Sequence, residues 1–222
     1  METSKDRHAE ASAYWDGFYK KDLSEIERPS QFAAFVASEF RYIDTIVDVG
    51  CGSGRDSLFF ATHRHRVCGV DASASAVALA SRRAQAMGLA NCRFVQADAS
   101  QPLAPQLAAA LPEGSVQRLV YARFFLHAVD ERTQTAFLAS ASDLGQTLAV
   151  EFRTNRDSQG ARVTPTHYRR YIKPMTLIAE AQTRGFEVVY YTDGFGFAKY
   201  QDDDAHVARI VFARQEPATT GL

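Results

Sequence analysis

Apolar residues recur along the chain in two rhythms, and their alternation gives the first picture of the fold. Short β-branched runs read as buried strands: "DTIVDVG" (44–50), "HRVCGVD" (65–71), "NCRFVQAD" (91–98), "VQRLVYA" (116–122) and "QTLAVEF" (146–152). Between them lie segments of helical period. "GRDSLFFATH" follows the first strand. The Ala-rich "ASAVALASRRAQAMG" follows the second and is closed by Gly88. "DERTQTAFLASASDLG" (130–145) has Asp130 as its N-cap and Gly145 as its stop. The segment with Pro102, Pro105 and Pro112, locally Ala-rich, precedes the fourth strand. Strands that alternate with helices imply βαβ crossovers and a mostly parallel sheet covered on both faces.

The rhythm changes toward the C-terminus. A helix, "KPMTLIAEAQTRG", leads to "FEVVYYTDG" and then "DDDAHVARIVFAR", with a loop of about a dozen residues and no helix between them; this predicts an antiparallel pair on the sheet edge. Residues 8–40 read as two helices, "AEASAYWDGFYKKD" and "PSQFAAFVASEF", outside any βαβ unit. The expectation is one α/β domain over 1–222: an N-terminal helical lid (1–40), a Rossmann-like core (41–152), and a C-terminal part (153–222) with a loop, a helix and the strand pair.

Composition adds limits. With 222 residues, 46% of them hydrophobic, the chain can bury a proper core, and its formal charge of −1 gives no global attraction to nucleic acid or an anionic membrane. Cys51, Cys68 and Cys92 form no close pair. Free thiols and a polar N-terminus without an apolar leader segment point to a soluble cytoplasmic protein, and no run reaches the length of a membrane span. Neither C-x-x-C nor H-E-x-x-H occurs, so no metal site is expected.

The candidate chemistry begins with "VDVGCGSGRDS" at the turn from the first strand into a helix. Gly50, Gly52 and Gly54 let the backbone turn sharply and let a ligand approach it, while the helix start offers unpaired N–H groups. The spacing is G-x-G-x-G with Arg55 next. That departs from the G-x-G-x-x-G/A of dinucleotide sites and from the phosphate P-loop. Asp71, 17 residues beyond Gly54 at the end of the second strand, suits two ribose hydroxyls; Asp98, at the end of the third, suits an adenine amino group. The plainer readings are a buried turn-organising role for Asp48, a helix cap for Asp71, an ordinary turn at Asp98 and a small buried filler for Cys51.

Taken in order, these segments resemble the class I S-adenosylmethionine-dependent methyltransferases. "VDVGCGSGRDS" looks like their first motif, "GVDAS" like the acidic second and "VQADAS" like the third; the G-x-G-R-D-S form is similar to small-molecule members of the thiopurine and tellurite-resistance type. The resemblance implies strand order 3-2-1-4-5-7-6 with strand 7 antiparallel, and S-adenosylmethionine as cofactor. It places Asp48 and Gly50 near the methionine amino group, Gly52 near the methionine half, Asp71 on the ribose, and Asp98 with Ala99 at the adenine. Tyr14, Gly54, Ala72 and Arg123 complete the cofactor-facing set.

The acceptor should then sit beyond the fourth and fifth strands, under the N-terminal cover. Residues 153–173 carry six Arg or Lys against one acid, Asp157. Arginine suits a carboxylate or phosphate, which predicts a small anionic acceptor clamped among Arg123, Arg153, Arg169 and Arg170, with Trp15, Tyr19 and Tyr168 beside it. The alternative is a solvated face, or pairing with "DDD" at 202–204. His127 and His167 are the candidate bases, His127 equally readable as a packed structural residue, whereas His63, His65 and His206 read as surface or strand positions. An acceptor that arrives ionised needs no base. Competing readings are a nucleic-acid or protein methyltransferase, or a cofactor-binding scaffold without catalysis. The N-P-P-Y type of sequence and an aromatic-basic platform are both missing, which weighs against nucleic acid.

Overall fold

A computed structural model describes residues 14, 16, 17, 19, 28–112, 117–159, 170–200 and 203–214. Helices α1 (Gln31–Glu39), α2 (Arg55–Thr62), α3 (Ala74–Ala86), α4 (Leu103–Leu107), α5 (Glu131–Leu144) and α6 (Pro174–Gln182) surround a central sheet. Its strands are β1 (Thr45–Val49), β2 (Arg66–Asp71), β3 (Cys92–Gln96), β4 (Arg118–Arg123), β5 (Thr147–Arg153), β6 (Phe186–Gly194) and β9 (Val207–Arg214). They lie in the order β3-β2-β1-β4-β5-β9-β6. β9 is the seventh strand of the expected order, and it runs antiparallel to both β5 and β6. The loop before it is not plain coil: β7 (Lys199–Tyr200) and β8 (Asp203–Asp204) pair as a short ribbon.

Alternation along the strands builds two cores. Val47, Cys68, Val120, Leu148 and Ile210 face a cluster that includes Leu103 of α4, Phe137 and Leu138 of α5 and Leu177 of α6. Their neighbours Ile46, Val67, Leu119, Ala149 and Val211 face Phe32 and Val36 of α1 and Leu58 and Phe60 of α2. A period of two and burial on both faces explain why the strands read as nearly continuous apolar runs. The second N-terminal helix of the sequence reading is α1, whereas the first lies largely outside the described residues; Tyr14, Asp16, Gly17 and Tyr19 within it are helical.

Several boundaries differ for physical reasons. α4 forms in the proline-bearing segment before β4, and Pro105 is tolerated because it sits in the helix's first turn, where an N–H has no intrahelical partner. α5 stops at Gly145, but with φ −155°, so no left-handed turn is involved. The need for glycine there is close approach: a Cβ would lie 2.9 Å from the Arg118 carbonyl oxygen. His65 and His206 are buried, not surface residues. His65 Nδ1 bonds the Ile43 carbonyl at 2.8 Å, and His206 Nδ1 lies 2.8 Å from Thr154 Oγ1.

One buried polar node fastens α1 to the core. Asp56, in the first turn of α2, accepts from Ser30 N (2.9 Å), Ser30 Oγ (2.7 Å), Tyr121 Oη (2.9 Å) and Arg55 Nε (3.1 Å). Ser30 also caps α1 by accepting from Ala33 N. Its donors and the Arg55 and Arg123 guanidiniums hold the Asp56 carboxyl below the usual carboxylate range although burial opposes this, and burial pushes the Tyr121 phenol well up. Tyr121→Phe removes one donor from a buried carboxylate and is expected to cost about 1–3 kcal/mol in denaturant unfolding; an unchanged midpoint would show that Asp56 does not rely on the phenol.

Candidate functional site

The C-terminal ends of β1, β2, β4 and β5 open on one side of the sheet, and the chemistry-bearing residues gather there. Gly50, Gly52 and Gly54 have φ of +73°, +55° and +80°, so all three occupy the left-handed region that favours glycine. Space demands glycine as well. A Cβ on Gly50 would lie 2.8 Å from the Phe125 ring, one on Gly52 would run into the Tyr19 hydroxyl, and one on Gly54 would lie 2.9 Å from the Ala80 Cβ. The loop therefore offers bare main chain toward the N-terminal cover.

Asp71 organises that loop. Its Oδ2 accepts from Gly52 N and its Oδ1 from Ser73 N, both at 2.9 Å, and burial raises its carboxyl above the ordinary value. Main-chain N–H groups of Ser73, Gly52 and Ala72 favour its charged form against that rise. Ser73 caps α3 by accepting from Ala76 N, and Asp16 of the cover accepts from Ser73 Oγ and Ser75 N at 3.1 Å each. Ala72 lies between these anchors; its carbonyl accepts from Gln96 Nε2. Asp48 accepts from Ser57 Oγ at 2.5 Å, and burial pushes its carboxyl up to about 7. Asp98 makes a turn with Ser100, accepting from its N at 2.9 Å and its Oγ at 2.8 Å, and Ala99 beside it is buried. Cys51 is half-buried, and desolvation with the neighbouring carboxylates drives its thiol well up, which suits the filler role.

An ionic ladder runs across β4, β5 and β9, where the sequence led to the expectation of an acceptor site. Arg123, Glu151 and Arg209 are direct neighbours across β4, β5 and β9. Glu151 is fully buried; it accepts from Arg123 Nε through Oε1 and from Arg209 Nε through Oε2, each at 2.6 Å. Arg209 Nη2 donates to the Phe197 carbonyl at 2.7 Å, and its guanidinium stacks 4.8 Å from the Phe197 ring. The ladder thus holds two cations against one anion, and Arg123 reaches Glu151 through its Nε. The available signal was a charge inside each apolar run, Glu151 in "LAVEF" and Arg209 in "VARIVF", the pattern of a buried ion pair.

Two of the expected clamp arginines are spent inside the protein. Arg153 donates to Asp157 Oδ2 at 2.8 Å and to Asp203, and these carboxylates raise its pKa. The pairing with the "DDD" segment is therefore what the structure contains. Arg170 Nη2 donates to Gln134 Oε1 at 2.6 Å, and its backbone N to the His127 carbonyl at 2.8 Å. His127 is buried, edge-on to Phe124 at 5.0 Å. Its Nδ1 accepts the Arg153 N–H at 3.3 Å, so the neutral ring carries its proton on Nε2 and keeps no free lone pair for a base. This favours its structural role. Trp15, His167, Tyr168 and Arg169 lie outside the described residues. Among the described residues no group of three or more His, Cys, Asp or Glu is placed to hold a metal ion, and no helix is long and apolar enough to cross a membrane.

Glycine turn, acidic strand ends, sheet order and antiparallel seventh strand together define the Rossmann-like methyltransferase fold. Residues 46–145 match a family model described as a methyltransferase domain. A solved structure of an S-adenosylmethionine-dependent methyltransferase from Anabaena variabilis superposes with TM-score 0.71 at 19% identity, covering 94% of this chain and 95% of that one. The magnesium protoporphyrin IX methyltransferase of Synechocystis, solved with the same cofactor, gives TM-score 0.67 at 16% identity over 95% and 98%. By sequence, the 23S rRNA (uracil(1939)-C(5))-methyltransferase RlmD of Colwellia psychrerythraea is 42% identical over 55 residues, 25% of this chain and 12% of that protein. The match spans only about an eighth of that relative's length.

Asp48 supplies a test independent of any ligand. Its folded carboxyl titrates at about 7, against 3.8 in an ordinary setting, so the folded state binds the proton more tightly. The stabilisation this gives is complete below the unfolded value and is lost as pH rises through about 7. Denaturant unfolding at pH 5 and pH 8 should show a larger loss for the wild type than for Asp48→Asn; equal losses would place the Asp48 titration in the ordinary range.

Proposed function

We propose that the chain transfers a methyl group from S-adenosylmethionine to a small-molecule acceptor bearing a carboxylate or phosphate. The observation that carries the cofactor half is the glycine loop whose bare main chain is bonded to Asp71 (Gly52 N to Oδ2, 2.9 Å). Its donor set fits the cofactor. Asp71 is placed to accept ribose hydroxyls and supplies negative charge for a ligand that carries an ammonium and a sulfonium. Gly50 and Gly52 border the methionine half, where Phe125 and Tyr19 pack on the loop and Tyr14 lies in the cover, while Asp98 and Ala99 border the adenine end. When bound, the cofactor supplies an electrophilic methyl group on a positively charged sulfur.

The protein's part is to place the acceptor. In-line displacement gains much of its rate from holding the nucleophile against the methyl carbon. This chain's residues would hold an acceptor oxygen or nitrogen in line with the methyl group that the bound cofactor supplies. A carboxylate or phosphate arrives ionised, which fits a His127 with no free lone pair. Arg123 is the cation for that anionic group, because Glu151 engages its Nε and Arg209 balances Glu151 from the other side. Arg153 and Arg170 hold the surrounding framework. The neutral total charge of nearly zero and the missing nucleic-acid motifs favour a free metabolite in the cytoplasm over RNA.

S-adenosylhomocysteine release should be confined to the anionic members of paired acceptors, each carboxylate or phosphate beside its neutral analogue. Arg123→Met should raise the acceptor KM by about tenfold or more, the order expected for a charge-assisted contact, and leave S-adenosylhomocysteine affinity in place. Turnover of neutral members alone would remove the anionic group from the proposal. Lost cofactor affinity with an unchanged KM would make Arg123 a cofactor residue.

A further inference from the structure

Phe124 and Arg64 are the non-glycine residues with positive φ among the described ones. Arg64 lies just past the end of α2, where chains commonly turn left-handed. Phe124, at φ +58°, has no helix end to account for it; it follows β4 directly. A residue with a side chain is disfavoured in this region and persists only where its surroundings hold it, and such residues cluster at functional sites.

Its surroundings do hold it, and they belong to the acceptor side. Phe124 N donates to the Glu151 carbonyl at 2.8 Å. The Arg123 guanidinium lies 4.2 Å from the ring centroid, that of Arg153 5.7 Å, and the His127 ring meets it edge-on at 5.0 Å. Beyond the ring, Ala198, Ala205, Val207 and Phe197 form a small apolar cluster separate from the two main cores. A strand continuing in register would turn residue 124 to the face of Ala122, away from Arg123. The left-handed turn prevents that. It also sends the next residue to the other core, where the Phe125 ring lies against Gly50 of the cofactor loop.

We propose that Phe124 is a positioning residue: its left-handed backbone sets one ring against the Arg123 guanidinium and the next ring on the glycine loop, fixing the acceptor's cation relative to the cofactor. The role given to Arg123 rests on the function proposed above. The ring restrains the guanidinium through a cation–π contact, and Glu151 restrains it through Nε. Phe124→Gly suits the test because glycine accepts the same φ without strain and removes only the ring.

Solvent exchange of the arginine Nε–H protons reads the effect without any acceptor. In Phe124→Gly, the Arg123 Nε–H should exchange about tenfold faster or more, while that of Arg209, on the other Glu151 oxygen, stays within about twofold. Phe124→Tyr, which keeps the ring, should restore wild-type exchange. Unchanged Arg123 exchange in the glycine variant would overturn the proposal. So would equal acceleration at both arginines, since that is general loosening of the ladder. Calorimetry with S-adenosylhomocysteine, run on the same samples, should give wild-type affinity for both variants; failure of the wild type to bind it would refute the cofactor reading and, with it, the role of Arg123.

Discussion

Four carboxylates withdrawn from water along the strand ends govern this protein. Asp48, Asp56 and Glu151 are almost wholly buried and Asp71 largely so, and a buried carboxylate is costly unless donors or cations surround it. Each is satisfied differently. Ser57 donates to Asp48, which stays protonated up to about pH 7. Asp56 collects Ser30, Tyr121 and Arg55 and thereby docks the first described helix onto the sheet. Asp71 takes the main chain of the glycine loop, and Glu151 takes two arginines. The site is what results when all four demands are met within one row of strand ends.

Those demands link the two halves of the chemistry. The Arg123 guanidinium contributes to the field at Asp56 and to that at Tyr121, while its Nε is bound to Glu151. Asp56 begins the helix that leaves the glycine loop, so the cofactor side and the acceptor side share one buried network. The ladder crosses β4, β5 and β9, and the antiparallel β9 is what brings Arg209 to Glu151. A parallel strand in that place would not give the same register.

The strands and the glycine turn were legible because each rests on local sequence, whereas the sheet order came with the family resemblance. The apolar runs "TIVDV" and "LAVEF" name strands, and G-x-G-x-G names a turn that only glycine makes without strain. Asp71 was legible by its place at a strand end; it anchors the glycine loop, while the cap of the following helix is Ser73. The acceptor side was less so, since its contacts join residues far apart in sequence. Arg153 read as a clamp because it is one of six basic residues in 153–173, yet its partners include Asp203, 50 residues away. Arg209 and Glu151 stand 58 residues apart, and only the sheet makes them neighbours. The left-handed conformation of Phe124 has no signature in "ARFFLH", because a phenylalanine there would ordinarily continue the strand.

The central claim is that the crevice above β1 and β2 binds the cofactor through Asp71 and the loop it organises. Calorimetric titration of S-adenosylhomocysteine into the wild type and Asp71→Ala tests it most directly. One-to-one binding to the wild type, weakened at least about tenfold in the variant by loss of carboxylate hydrogen bonds, is the predicted result. No binding to the wild type, or equal affinity in a variant that remains folded, would contradict the account.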